Sequence, residues 1–137
     1  MKAVEAAIYG RLTGDSTLQS LLGGSGRISH ALESGNAQKN SLTFLLLNAE
    51  PGYVNSDRVQ TQVESYQLMI FSDKYVDIAY RLRVLLDGYT FADTTEAGGM
   101  VCVWDSDGPD LFDEPLQVGR KDVRYRVMLT PRAVGAV

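Results

Sequence analysis

The stretch "VESYQLMIFSDKYVDIAYRLRVLLDGY" (Val63–Tyr89) changes its periodicity halfway along. YQLMIF, at residues 66–71, is apolar on both faces and bounded by polar residues, which is how a buried strand reads. The polar VQTQVES just before it extends the predicted strand back to about Arg58. A strand this long reaches past its own domain or lies along a partner. Ser72-Asp73 then reads as a helix cap. Beyond it, Tyr75, Ile78, Ala79, Leu82, Leu85 and Leu86 recur with helical spacing and form one apolar stripe. Asp77 and Arg81 stand four residues apart and are placed to pair on the outer face. Asp87-Gly88 ends the helix. A strand feeding one amphipathic helix makes this an α+β chain if the flanking elements are strands as well.

They read that way on both sides. Upstream, LTFLLLNA (Leu42–Ala49) is a continuous apolar run of strand length, followed by a predicted turn at Glu50-Pro51-Gly52-Tyr53 and a loop through Asn55–Asp57. Downstream, residues Tyr89–Gly98 read as a linker, and Gly99–Trp104 as a short strand. Val123, Tyr125, Val127 and Leu129 alternate with Arg124 and Arg126, the clearest period of two in the chain. At the start, Val4, Ile8 and Leu12 with Ala3 and Ala7 give a helix ended by Gly14. Asp15-Ser16-Thr17 caps a second, short helix carrying Leu18, Leu21 and Leu22, which Gly23-Gly24-Ser25-Gly26 closes. Residues Arg27–Ser41 read as a loop with room for a short strand at Arg27–His30.

The expected order is therefore α-α-β-β-α-β-β. It describes an α+β fold with a single, mostly antiparallel sheet and helices packed on one face. The 137 residues suit one domain with a real core, and residues 131–137 are expected to be a loose tail. A hydrophobic fraction of 45% and a charged fraction of 22% are ordinary for a soluble chain. No run is apolar enough to span a bilayer, and the N-terminus lacks a signal-peptide core, so a soluble protein made inside the cell is expected.

The chemistry-bearing residues concentrate in WDSDGPDLFDEP (Trp104–Pro115). Asp105, Asp107, Asp110, Asp113 and Glu114 fall within ten residues with no base among them. An EF-hand loop started at Asp105 fails. Its fifth position is Pro109, its sixth is Asp110 where glycine is needed, and its twelfth is Leu116. Asp-Gly-Pro-Asp is turn chemistry, so the cluster reads as a solvated connection between the last two strands. A nucleophile triad lacks its parts: the one histidine, His30, lies far along the chain from the one cysteine, Cys102, which sits between valines as a core thiol. One Cys and one His do not make a zinc site. Gly23-Gly24-Ser25-Gly26 has no following Lys-Ser/Thr and opens no phosphate loop. No catalytic, cofactor-binding or metal-binding residue is assigned.

Charge is polarised along the chain. Val84 to Gly119 holds eight acids and no base, whereas Arg120 to Arg132 holds five bases and one acid. Such a pair of segments can neutralise itself or give one molecule complementary faces for a neighbour. Arg120, Arg124 and Arg126 form a candidate basic stripe, with Glu64 a candidate cross-strand partner. The candidate subunit-interface or lumen residues are thus Asp105, Asp107, Asp110, Asp113, Glu114, Arg120, Arg124, Arg126 and Glu64.

The segments AAIYGRLTGDSTLQSLLGG, GRIS, SLTFLLLN, VESYQLMIFSDKYVDIAYRLRVLLDGY and LFDEPLQVGRKDVRYRVMLTPR together resemble the tail-terminator (tail-completion) proteins of long-tailed phages. The matching positions include Leu12, Thr13, Asp15, Leu18, Leu21 and Gly23, and the helix ending Leu86–Tyr89. The chain departs from the pattern at Lys39–Leu42, where Asn40-Ser41 stands in place of an expected proline. The resemblance implies a non-enzymatic virion protein, assembled in the host cytoplasm, without cofactor or membrane partner. It would form a homo-hexameric ring at the head-proximal end of the tail, between tail tube protein and head connector or neck protein, with DNA passing unbound through the lumen. The alternatives are a head–tail connector or neck protein, and a small α+β binding domain.

Overall fold

The computed structural model describes residues 3–30, 38–54, 59–92 and 97–131. Helices α1 (Ala3–Thr13) and α2 (Ser16–Leu22) open the chain, and a 3-10 turn at Ser25–Arg27 leads into β1 (Ile28–His30). Then come β2 (Ser41–Val54), β3 (Val59–Phe71), α3 (Tyr75–Leu86), the two-residue β4 (Thr90–Phe91), β5 (Ala97–Asp113) and β6 (Val118–Pro131). The strands form one six-stranded sheet in the order β1-β2-β3-β6-β5-β4. Only the β1–β2 pairing is parallel. The α+β expectation with a single mostly antiparallel sheet holds.

The core lies between the sheet and the helices. Ile78, Leu82, Leu85 and Leu86 of α3 are buried against Tyr66, Leu68 and Ile70 of β3 and Val123, Tyr125 and Val127 of β6. Each such side chain contributes about 1.5–3 kcal/mol through the area it removes from water. Val4, Ile8 and Leu12 of α1 and Leu18 and Leu22 of α2 complete the same cluster. The alternation read in the last strand is seen directly: Val123, Tyr125, Val127 and Leu129 are buried, while Arg124, Arg126 and Met128 are exposed. The caps read for α2 are also present. Leu18 N donates to Asp15 Oδ2 at 2.8 Å, and Gly23 closes the helix at φ 88°, a left-handed conformation that costs glycine little.

Five local expectations are corrected. The Glu50–Tyr53 turn is strand: β2 runs through to Val54 and absorbs Pro51 and Gly52 in register shifts. The acidic stretch is not a turn either. It belongs to β5, which continues to Asp113 across irregularities at Trp104/Ser106 and Asp107/Asp110. An extra residue on one strand is accommodated without ending the ladder, so Gly108-Pro109 bends β5 rather than reversing it. The reversal comes later, at Glu114–Gln117. The Tyr89–Gly98 linker contains β4. Ser72-Asp73 divides its work: Ser72 Oγ accepts from Lys74 N at 3.1 Å, but Asp73 accepts from Gly119 N at 3.0 Å and so ties the β5–β6 hairpin to the start of α3. Finally, Arg81 does not pair with Asp77. Its guanidinium meets Asp15 through Nη2–Oδ1 at 2.6 Å and Nε–Oδ2 at 2.9 Å. A carboxylate already fixed as a helix cap offers the planar fork two aligned acceptors, which a flexible neighbour on the same helix does not.

The Asn55–Asp57 loop and the tail after Pro131 lie outside the described residues. Past Gln62, which pairs with Leu129, the β3 residues Thr61 and Val59 pair only with β2. The β2–β3 hairpin therefore extends beyond the rest of the sheet, as the length of the polar strand suggested.

Candidate assembly surface

The β5–β6 hairpin carries most of the charge singled out above, and it settles much of it internally. Lys121 Nζ sits 2.8 Å from Asp110 Oδ1, Arg120 Nε 3.0 Å from Asp122 Oδ1, and Arg126 Nη2 3.3 Å from Asp105 Oδ1. Asp110 holds Lys121 protonated beyond the ordinary lysine range through that hydrogen bond. Asp107 accepts from the Trp104 indole N–H at 2.9 Å. Asp113 accepts from Leu116 N at 2.9 Å and so shapes the reversal, where Glu114 is exposed. Of the three candidate arginines, Arg124 makes no ion pair among the described residues.

The cluster is also divided between the two faces of the sheet. Register sets Ser106 opposite Arg124 on the open face, and Asp107 opposite the buried Val123 on the helix side. Asp107, Asp110 and Lys121 line a notch of about 320 Å³ against Val76, Ala79, Tyr80 and Arg83 of α3. Glu64 does not join the arginines. It pairs in register with Val127 on the helix side, is 8% exposed, and accepts from Tyr66 Oη at 2.6 Å and Gln62 Nε2 at 3.0 Å. The period of two that aims Arg124 and Arg126 outward aims Glu64 inward. The proposed Glu64–arginine pairing is therefore absent.

Two arrangements escaped the sequence reading. His30 Nε2 lies 2.9 Å from Glu5 Oε2, both nearly buried, joining α1 to β1. The sign was present: Glu5 falls next to Val4 on the stripe that buries Ile8. Burial, with the Glu64 hydrogen bond, also pushes the Tyr66 hydroxyl well above its ordinary range. The second is a groove of about 730 Å³ along α1, floored by Ala6, Ala7 and Gly10 and walled by Leu85, Tyr89 and Phe91. Its charged residues are already engaged. Arg11 lies 3.7 Å over the Tyr89 ring and donates to Leu85 O, and Asp15 holds Arg81.

Neither arrangement holds an activated nucleophile. Cys102 is 1% exposed, and burial pushes its thiol up to about 12. Among the described residues no three His, Cys, Asp or Glu side chains are grouped to hold a metal ion, and no helix is long and apolar enough to cross a membrane. What the surface does offer is exposed apolar area. Val76, Tyr80 and Val84 on α3, Trp104 beside them, Leu111 and Phe112 at the hairpin end, and Met128 on the open face are all exposed.

The chain matches no protein-family model and no curated protein sequence. Its fold is similar to that of a chain in a solved structure described as "Virion of native gene transfer agent (GTA) particle". That likeness has a TM-score of 0.70 at 17% identity and covers 93% of this chain and 95% of the other.

Proposed function

We propose that this chain is a structural protein of a phage-like virion, and that it assembles as a ring closing the head-proximal end of a tail tube. The observation that carries the reading is the fold shared, over nearly the whole of both chains, with a component of a gene transfer agent virion. The sequence resemblance to tail terminators supplies the finer position and the six-fold ring.

The mechanism is geometric. One ring face matches the last layer of tube protein and stops its polymerisation, and the other presents a surface to the head connector or neck. Exposed apolar side chains beside a charged hairpin suit repeated protein contact, since patches of this kind mark interaction sites. The contact surfaces of a cyclic ring are two different patches of one subunit, each complementary to the other. Asp113, Glu114 and Arg124, the candidate charges least engaged within the chain, are the ones left to meet a neighbour or face the lumen.

Electron microscopy of the purified protein, alone and mixed with tail tubes, tests this. Six-membered rings seated at one end of each tube are expected, with tube length capped. Rings that bind the head connector but ignore tubes would move the protein to the neck. A monomer that neither forms rings nor alters tube growth would overturn the reading.

A further inference from the structure

The groove along α1 has the shape of a seat for a thin piece of chain. Its floor is Ala6, Ala7 and Gly10, whose side chains end at or before Cβ, and its walls include Tyr89 and Phe91. The charged side chains that line it are engaged: Arg11 with Leu85 O and the Tyr89 ring, Asp15 with Arg81. A largely apolar groove of about 730 Å³ with its charges already matched suits an occupant with small apolar side chains.

The sheet brings one segment of this chain within reach. Phe91 pairs with Met100 and Met100 with Leu129, so the three lie in a row across β4, β5 and β6, all buried in the core. β4 and β6 both run antiparallel to β5, so Ala92 and Pro131 lie towards the same end of the sheet. Two strand spacings across and two residues along put Pro131 about 12 Å from Phe91. Residues 132–137 can span about 20 Å. Their sequence, Arg132-Ala133-Val134-Gly135-Ala136-Val137, is small and apolar after its first residue and holds no acid. The internal segments outside the described residues, 31–37, 55–58 and 93–96, each hold a carboxylate: Glu33, Asp57, and Asp93 with Glu96. We propose that residues 132–137 fold back from β6 and seat in the groove between α1 and β4, with Val134 and Val137 supplying the apolar contact. A segment tethered this close acts at an effective concentration that a second chain in free solution does not match, so the seat is filled from within the chain. The inference does not depend on the ring reading above.

Hydrogen exchange of the full chain, read by mass spectrometry on peptides covering residues 130–137, tests this. In the unmodified protein these amides should exchange roughly tenfold or more slowly than in a free peptide of the same sequence. Gly10→Leu fills the groove from its floor. A Cβ at Gly10 meets nothing within 4 Å, and leucine suits a helix better than glycine, so folding should survive, which circular dichroism checks. The protection should vanish in G10L while that of α3 stays. Val134→Asp with Val137→Asp should free the segment equally, through a change that leaves the helix untouched. Exchange at the free-peptide rate in the unmodified protein, or protection that survives both G10L and the paired aspartates, would overturn the seat. Protection that appears only as protein concentration rises would assign the segment to the groove of a second copy and overturn the intramolecular seat.

Discussion

Replacing Gly119 with alanine should destabilise the protein by an amount the structure allows to be worked out. Gly119 is the second residue of β6, where the β5–β6 hairpin meets the start of α3. Its N–H donates to Asp73, and its carbonyl accepts from Ser72 N at 2.9 Å, so its backbone cannot move aside freely. A methyl group there would stand 2.7 and 2.8 Å from two ring carbons of Tyr75 and 3.3 Å from Ser72 O. Carbon atoms prefer roughly 3.5–4.0 Å, so the ring must retreat by about 0.7–1.3 Å. Overpacking of this kind costs about 1–3 kcal/mol. For a chain of this size that lowers the melting temperature by roughly 4–12 °C. The assay is urea unfolding of four proteins: unmodified, Gly119→Ala, Tyr75→Ala and the double variant. With the ring gone the added methyl group has room, so G119A should cost within about 0.5 kcal/mol of nothing in the Y75A background. An equal cost in both backgrounds, or no cost in the first, would refute the claim that the Tyr75 ring packs on this glycine.

Three further outcomes are expected. Cys102 keeps its proton in the fold up to about pH 12, against an ordinary value of 9.0, and burial raises Tyr66 and Tyr125 in the same direction. The unfolded chain therefore loses these protons first, so stability is whole below about pH 9 and declines from there towards pH 12. Urea midpoints against pH, with native thiol labelling absent at pH 9, check this. Asp15→Ala removes the α2 cap, worth about 1 kcal/mol, together with the acceptor for Arg81. The Arg81 hydrogen bond holds the Asp15 carboxyl below its ordinary 3.8, so its stabilisation is present above that value and lost as pH falls through the lower folded one. The gap between unmodified protein and Asp15→Asn should accordingly close in acid. Replacing Asp110, Asp113 and Glu114 together by Asn, Asn and Gln should leave folding within about 1 kcal/mol, since exposed pairs contribute little. It should weaken ring assembly measured by light scattering, and unchanged assembly at low salt would exclude the hairpin end from any subunit contact.

Wherever periodicity carried the information, the fold was legible. The α3 stripe, the alternation of β6 and the caps at Asp15 and Gly23 all follow from local spacing, and each is where the sequence placed it. The failures share one cause. Pro51-Gly52 and Gly108-Pro109 are strong local turn signals inside strands held by ladders on a neighbouring strand, and long-range pairing outweighed them. Arg81 chose Asp15, 66 residues away, over Asp77 on its own helix, because tertiary packing brought a pre-oriented carboxylate to it. The candidate charges were legible as a list but not as a surface. Which of them cancel depends on the β5–β6 register, and two irregularities in β5 shift it. The exposed apolar side chains of α3 left no trace in the period analysis, because Val76, Tyr80 and Val84 repeat with the same spacing as the residues that are buried.

The crooked course of β5 bears on a hazard that any long strand at a sheet margin poses. β4 covers only Met100 and Val101, so from Val103 to Asp113 no strand pairs with the outer edge of β5 among the described residues. A straight, apolar margin of that length would invite another chain to add itself and start a fibril. Here Pro109 lacks a donor, the strand is bent at two points, and Asp105, Asp107 and Asp110 carry negative charge along it. For the proposed role of ending tube growth, a chain that resists such addition is the one required. The acidic stretch acts as a guard rail, whatever else it touches.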